Sequence, residues 1–311
     1  VMAVSAKIQP SKKPFSNAKK LPEKVLAKAN GRVLNRIALS HAFVLFVSGL
    51  CVSTSILSSY ICQRMIQRYF IQISYDGTSF HGWQIQPNAK TIQETLNHVL
   101  STITRQEIYV VGCGRTDTGV HATQFYAHFE SLQIDCEEVC YRVNRMLPTS
   151  VAAHRIFVVA SDTHARFSAT SRTYEYKITR EKSPFLVHRA YEVREYLDLD
   201  KMNEAGRLCE KHNDFTSFAK VSESKTNLCN LSYAKWETNG TVLKFEVKAN
   251  RFLRNMVRAM VGTFVEVGRS RVSLSEFEAI LEAKDRSSAG FSAPAHGLYL
   301  IDIGYPEGLL K

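Results

Sequence analysis

Leu231-Ser232-Tyr233-Ala234-Lys235-Trp236-Glu237, then Thr238-Asn239-Gly240, then Thr241-Val242-Leu243-Lys244-Phe245-Glu246-Val247-Lys248: two strand-like runs flank an Asn-Gly pair. Asn-Gly between such runs is the strongest short-range signal for a β-hairpin. Further strands read out along the chain. Tyr69–Tyr75 alternates like a half-buried strand and stops at the turn pair Asp76-Gly77. Ile108–Gly112, Thr123–Phe129, Val151–Val159, Arg172–Thr179 and Leu298–Tyr305 read as strands too. Helices fall between them. Thr91 with Glu94 forms a capping box ahead of an apolar face of Ile92, Leu96, Val99, Leu100 and Ile103. Asp200–His212, Phe252–Val267 and Ser273–Ala283 read as helices, the last capped by Ser273 with Glu276. Hairpins with helices between them indicate an α+β fold with antiparallel sheets rather than a doubly wound sheet. Two similar-sized halves, residues 65–168 and 169–311, are expected, each with a mainly antiparallel sheet flanked by helices.

The composition agrees with a globular protein. Of 311 residues, 45% are hydrophobic and 22% charged, with 15 Gly and 8 Pro, which excludes collagen and low-complexity disorder. The formal charge of +11 hints at nucleic acid or an anionic membrane. Its placement weakens the hint, because residues 1–64 hold ten basic side chains against one acid, Glu23. The remainder holds 30 basic and 28 acidic side chains and is close to neutral. Seven cysteines, an odd number without a CxxC pair, argue against a disulfide framework or a zinc knuckle. A reduced, cytoplasmic protein is expected.

Residues 1–64 read differently from the rest. Lys7–Arg36 is basic and interrupted by Pro10, Pro14 and Pro22, whereas Ile37–Gln63 carries no formal charge. That run is long enough for a spanning helix, but Ser and Thr dilute it. As a secretory signal it is preceded by too long a basic region. A membrane role is therefore not expected, and Met65 is expected to be the true start.

Candidate chemistry concentrates in Gly112-Cys113-Gly114-Arg115-Thr116-Asp117-Thr118-Gly119-Val120-His121. The segment lies between two strands, where loops present functional groups. Its glycines do not fit G-x-G-x-x-G, and no helix follows, so a dinucleotide fold is not indicated. Asp117 lies two residues from the opposite charge of Arg115, and such a carboxylate can act as nucleophile or base. From these ten residues alone, an Asx turn held by Asp117 is the plainer reading. Asp117-Thr118-Gly119 also matches the aspartic-protease triplet. That chemistry needs two carboxylates sharing a proton, and no second triplet of the kind occurs. His121, His128 and His164 have no metal-ligand spacing and are expected to be structural. Tyr174 and Tyr176 alternate on one strand face, which by itself suggests packing. Leu253, Met256, Val257, Met260, Val261 and Phe264 make one apolar helix face, with Arg251, Arg254 and Arg258 opposite.

Six blocks together resemble the tRNA pseudouridine synthase A family. They are Tyr75-Asp76-Gly77 through His81-Gly82-Trp83-Gln84; Gly114 through His121; Phe167-Ser168-Ala169-Thr170-Ser171-Arg172-Thr173-Tyr174-Glu175-Tyr176; Asn213 through Phe218; Asn255-Met256-Val257-Arg258 through Val261-Gly262; and Gly297-Leu298-Tyr299-Leu300. They occur in family order across residues 66–311. The resemblance implies a pseudouridine synthase fold with an active-site cleft between two halves. It implies isomerisation of uridine to pseudouridine at positions 38, 39 and 40 of the tRNA anticodon stem-loop, without metal or organic cofactor. Asp117 takes the catalytic position, and Tyr174 the position expected to stack on the uracil. Arg258 would pair with Asp117, and Arg115 would help extrude the base. Arg251 and Arg254 would meet phosphates. The family also implies a homodimer, so that one tRNA touches both subunits. Thr118 stands where the family usually has Ala, Leu253-Arg254 fills variable positions, and residues 1–64 have no counterpart.

A chain beginning at Met65 is expected to be folded, soluble and as active as the full chain. Expressing 1–311 and 65–311 side by side, with membrane fractionation and an activity assay, checks this. Aggregation or inactivity of the shorter chain alone contradicts it.

Overall fold

Alternating apolar residues become strands, and 3.6-periodic ones become helices. In the computed structural model, residues 66–220 and 226–310 are described, so the expectations placed on residues 1–64 and on a start at Met65 lie outside them. The elements run β1 (Gln67–Tyr75), α1 (Ile92–Thr104), β2 (Val111–Gly112), β3 (His121–Ser131), α2 (Cys136–Met146), β4 (Val151–Val159) and β5 (Ser171–Thr179). There follow β6 (Tyr191–Glu192), α3 (Leu199–Lys211), β7 (Leu231–Asn239), β8 (Val242–Ala249), α4 (Met256–Gly268), α5 (Leu274–Ala283) and β9 (Leu298–Gly304). The fold is α+β.

Instead of one sheet per half, the strands form a single nine-stranded sheet in the order β4-β1-β3-β9-β5-β8-β7, with β2 beside β3 and β6 beside β5. The reason is β9. It pairs antiparallel with β5 over most of its length and parallel with β3 at His121↔Tyr299 and Ala122↔Leu300. Side chains of β9 enter two hydrophobic clusters. Leu300 and Ile303 join Tyr69, Ile71, Leu96, Phe125 and Val143, whereas Leu298 joins Tyr176, Phe245, Met260, Phe264 and Phe277. Tyr174 packs against both.

Local signals hold with four adjustments. Thr91 caps α1 by accepting from the Glu94 N–H, and all five residues of the expected apolar face are buried. The reciprocal capping box is complete only at α5, between Ser273 and Glu276. The hairpin turn sits one residue later than expected: Asn239 pairs with Val242, leaving Gly240, at φ 63°, and Thr241 as the loop. Glycine thus takes the first central position, which suits the right-handed strand twist. Ile108 and Val110 are buried, but only Val111 and Gly112 pair as a strand.

The fourth adjustment affects the site. The helix expected from Phe252 begins at Met256, because Asn255 adopts a left-handed conformation with φ 66°. Arg251 and Arg254 therefore precede α4 and do not share a helical face with Arg258. Among the thirteen residues of α4, only Arg258 and Glu266 are not buried. A helix buried on nearly every side is part of the core rather than an amphipathic surface element. No helix among the described residues is long and apolar enough to cross a membrane.

Gly262 lets α4 approach the chain at Phe291, where a methyl group would overlap the Phe291 carbonyl. Gly262→Ala is therefore expected to destabilise the fold by about 1–3 kcal/mol through overpacking. Thermal unfolding should show Tm lower by a few degrees. An unchanged Tm contradicts the close approach.

Candidate active site

The loop carrying Asp117 is held by backbone contacts on both sides. Cys113 N–H donates to the Tyr126 carbonyl at 2.8 Å, and Val120 N–H donates to the Asp117 carbonyl at 3.1 Å. The Tyr75 and Thr116 hydroxyls share a buried hydrogen bond of 2.8 Å. The His81-Gly82-Trp83 segment braces the same loop, with Trp83 N–H donating to the Thr116 carbonyl at 3.1 Å. Gly82, at φ 83°, passes so near Thr116 that any Cβ would come within 2.5 Å of its carbonyl oxygen. The indole of Trp83 is buried against Phe125, with ring centroids 4.2 Å apart. Asp117 thus stands on a loop fixed to the sheet and to the start of α1, rather than on a free turn.

Arg258 reaches Asp117 from the first turn of α4. Its Nη1 lies 3.3 Å from Asp117 Oδ2, and its Nε donates to the Ala293 carbonyl at 2.7 Å. Ala293 N–H in turn donates to the Arg258 carbonyl at 2.9 Å, so one buried residue holds Arg258 by both backbone and side chain. The side chains of Arg258 and Asp117 are 21% and 39% exposed. A pair this open to water contributes at most about 1 kcal/mol to folding. What it gives the site is orientation. No hydrogen bond joins Asp117 Oδ1 to another described residue, so Arg258 engages one carboxylate oxygen and leaves the second for a ligand.

Tyr174 lies beside this pair on β5, edge-on to Phe252 with centroids 5.1 Å apart. Burial raises the pKa of its phenol, and the nearby Cys113 and Asp117 add to the rise. It remains a neutral, flat ring next to the carboxylate. The sequence-predicted residues therefore divide. Asp117, Arg258 and Tyr174 come together; Arg115 is exposed on the Asp117 loop; Arg251 and Arg254 lie on the segment entering α4. Arg254 is exposed, and its carbonyl accepts from Lys220 N–H at 3.0 Å.

One residue of consequence went unassigned in the sequence. Arg172 donates from Nη1 to the Ala169 and Asn250 carbonyls, both at 3.0 Å, and from Nη2 to Cys113 at 3.2 Å and Arg166 at 2.6 Å. It ties the Asp117 loop to the two segments on either side. The signal was present: Arg172, Tyr174 and Tyr176 share one face of a strand, and an inward arginine needs partners.

The histidines serve the fold. His121 Nδ1 accepts from Gly77 N–H at 3.1 Å, while Nε2 faces the His188 and His296 carbonyls, each 3.1 Å away. Burial lowers its pKa and favours the neutral ring, against the pull of Asp76 Oδ1, 3.2 Å from Nδ1. His128 Nδ1 accepts from Ala165 N–H at 3.2 Å, and His164 Nδ1 accepts from Arg166 and Phe167 N–H. Among the described residues, no group of three or more His, Cys, Asp or Glu is disposed to hold a metal ion.

Residues 212–306 match the family model described as tRNA pseudouridine synthase. The chain is 47% identical over 251 residues to the tRNA pseudouridine synthase A of Bacteroides thetaiotaomicron, covering 79% of this chain and 93% of that protein. It is 40% identical over 244 residues to the protein of the same name from Aliivibrio salmonicida, covering 77% and 93%. To that of Bacillus licheniformis it is 40% identical over 239 residues, covering 75% and 97%. With identity of this order along nearly the whole of each relative, and with Asp117, Arg258 and Tyr174 gathered from three distant blocks, the chain belongs to the tRNA pseudouridine synthase A family.

Proposed function

We propose that this protein isomerises uridine to pseudouridine at positions 38, 39 and 40 of the tRNA anticodon stem-loop, with Asp117 as the reacting carboxylate. The observation that carries the reading is the Asp117–Arg258 pair, which leaves the second carboxylate oxygen without a hydrogen bond among the described residues, within electrostatic reach of Tyr174. In the reaction the N1–C1′ bond breaks, the uracil turns, and a C5–C1′ bond forms. The C5 proton leaves and N1 gains one, so the product is an isomer. The base must be unstacked and enclosed for this, because its reacting atoms are inaccessible within a helix. Tyr174 provides a flat face for the extruded uracil, and Asp117 acts either as nucleophile or as base toward the ribose.

The charge balance limits how an RNA substrate can be held. Outside residues 1–64 the chain has 30 basic and 28 acidic side chains, too even a balance for a broad, non-specific RNA surface. Binding rests instead on a local basic cleft, with Arg115 helping to extrude the base and Arg251 and Arg254 near phosphates. A homodimer, in the cytoplasm where tRNA is found, would let one tRNA touch both subunits. An aspartic-protease reading is disfavoured by the partner of Asp117, which is a guanidinium and not a second carboxylate.

Tritium release from tRNA labelled with [5-³H]uridine tests the activity, because isomerisation liberates the C5 label. The full chain is expected to release it, and tRNA lacking uridine at positions 38–40 should release none. Asp117→Asn is expected to reduce release to background while tRNA affinity stays within a few-fold. Near-normal turnover by Asp117→Asn overturns the assignment of the carboxylate, and no release by the unaltered chain overturns the activity.

A further inference from the structure

Phe167 is 76% exposed. It is nevertheless packed against its neighbours. Its ring packs on that of His164, with centroids 4.4 Å apart at 38°, and His164 meets the buried His128 edge-on at 4.6 Å. The His164 Nδ1 accepts from both Arg166 and Phe167 N–H, at 3.1 and 3.3 Å, which fixes the turn under the ring. The Arg166 guanidinium lies 5.6 Å from the ring centroid.

This turn is joined to the Asp117 loop. Arg172 Nη2 donates to both the Arg166 and Cys113 carbonyls, and Cys113 is four residues before Asp117. Cations gather here. Partial burial lowers the pKa of Arg166, and the neighbouring charges of Arg115, Arg172 and Arg251 lower it further. Among the described residues, no carboxylate stands within ion-pair distance of Arg115, Arg166 or Arg172. The charges of Arg115, Arg166 and Arg172, assembled without a carboxylate partner among the described residues, favour an anionic ligand. A packed, exposed ring beside them favours a flat π surface. A single-stranded stretch of nucleic acid offers both, since bases stack on aromatic side chains while the backbone follows the cations.

We infer that Phe167 is a stacking platform for an unpaired base of the tRNA, beside the one drawn to Asp117, with Arg166 on an adjoining phosphate. The inference rests on the reading of this protein as a tRNA-modifying enzyme, and it assigns a second base contact outside the Asp117–Tyr174 site. The platform explains why the ring is held firmly yet left uncovered.

The test uses the full chain, tRNA binding by filter retention, and tritium release. Phe167→Ala and Phe167→Leu are expected to raise Kd and KM together by about tenfold, the range of one lost base stack. They should raise these more than they lower kcat. Phe167→Tyr and Phe167→Trp should bind as tightly as the unaltered protein, because they keep a π face. Wild-type affinity in Phe167→Leu overturns the platform, as does a loss in Phe167→Ala that Tyr and Trp do not restore. A change of oligomeric mass in Phe167→Ala, measured by light scattering, also overturns it by assigning the ring to contact between copies. The unaltered chain separates the two readings. Failure to release tritium overturns the isomerase reading, whereas the comparison of binding among Phe167 variants decides the platform by itself.

Discussion

The site depends on where the last strand lies. β9 enters the sheet between β3 and β5, and a single row of paired residues then crosses it: Tyr75, Ala122, Leu300, Tyr174 and Val247. Neighbouring strands are about 4.8 Å apart, so Tyr174 lies about 10 Å from the foot of the Asp117 loop, two strands away. With β9 removed, the strands carrying Asp117 and Tyr174 would lack a common framework. Two hydrophobic clusters meet at the same strand, one through Leu300 and Ile303 and the other through Leu298. Hydrophobic burial thus fixes β9 from both sides, and β9 fixes the spacing between the Asp117 loop and Tyr174.

Electrostatics then completes the arrangement. Arg258 belongs to a helix that is otherwise almost wholly buried, where an unpartnered guanidinium would be costly. The Ala293 carbonyl and Asp117 Oδ2 supply its partners. Held at Nε by the backbone, the guanidinium keeps little freedom, and the carboxylate is aligned with it. The planar fork of arginine suits this double duty in a way that the point charge of lysine does not. Arg172 does similar work on the loops, gathering four carbonyls around one side chain. Arginines therefore act here as joints as well as charges.

Much of this was legible in the sequence, to a degree set by the range of the interactions. Elements fixed by local pattern came out nearly as expected: β4 spans Val151–Val159, and Ser273 with Glu276 caps α5. Long-range pairing was not legible, since nothing local in Leu298–Gly304 announces that it inserts between two distant strands. Periodicity also carried the α4 helix too far toward the N-terminus. The left-handed Asn255 interrupts a pattern whose apolar residues continue, and so separates Arg251 and Arg254 from Arg258. The Asp117 loop could be located by its glycines and charges. Its bracing by Trp83, Tyr75 and Arg172 required the fold.

In the proposed reaction, a guanidinium from one distant block orients the carboxylate of another. The most direct measurement is kcat for tritium release by Arg258→Met at saturating tRNA, with tRNA affinity measured alongside. A collapse of kcat is expected, with affinity within a few-fold, because the Met side chain packs but cannot hold Asp117. A kcat near that of the unaltered protein would contradict it.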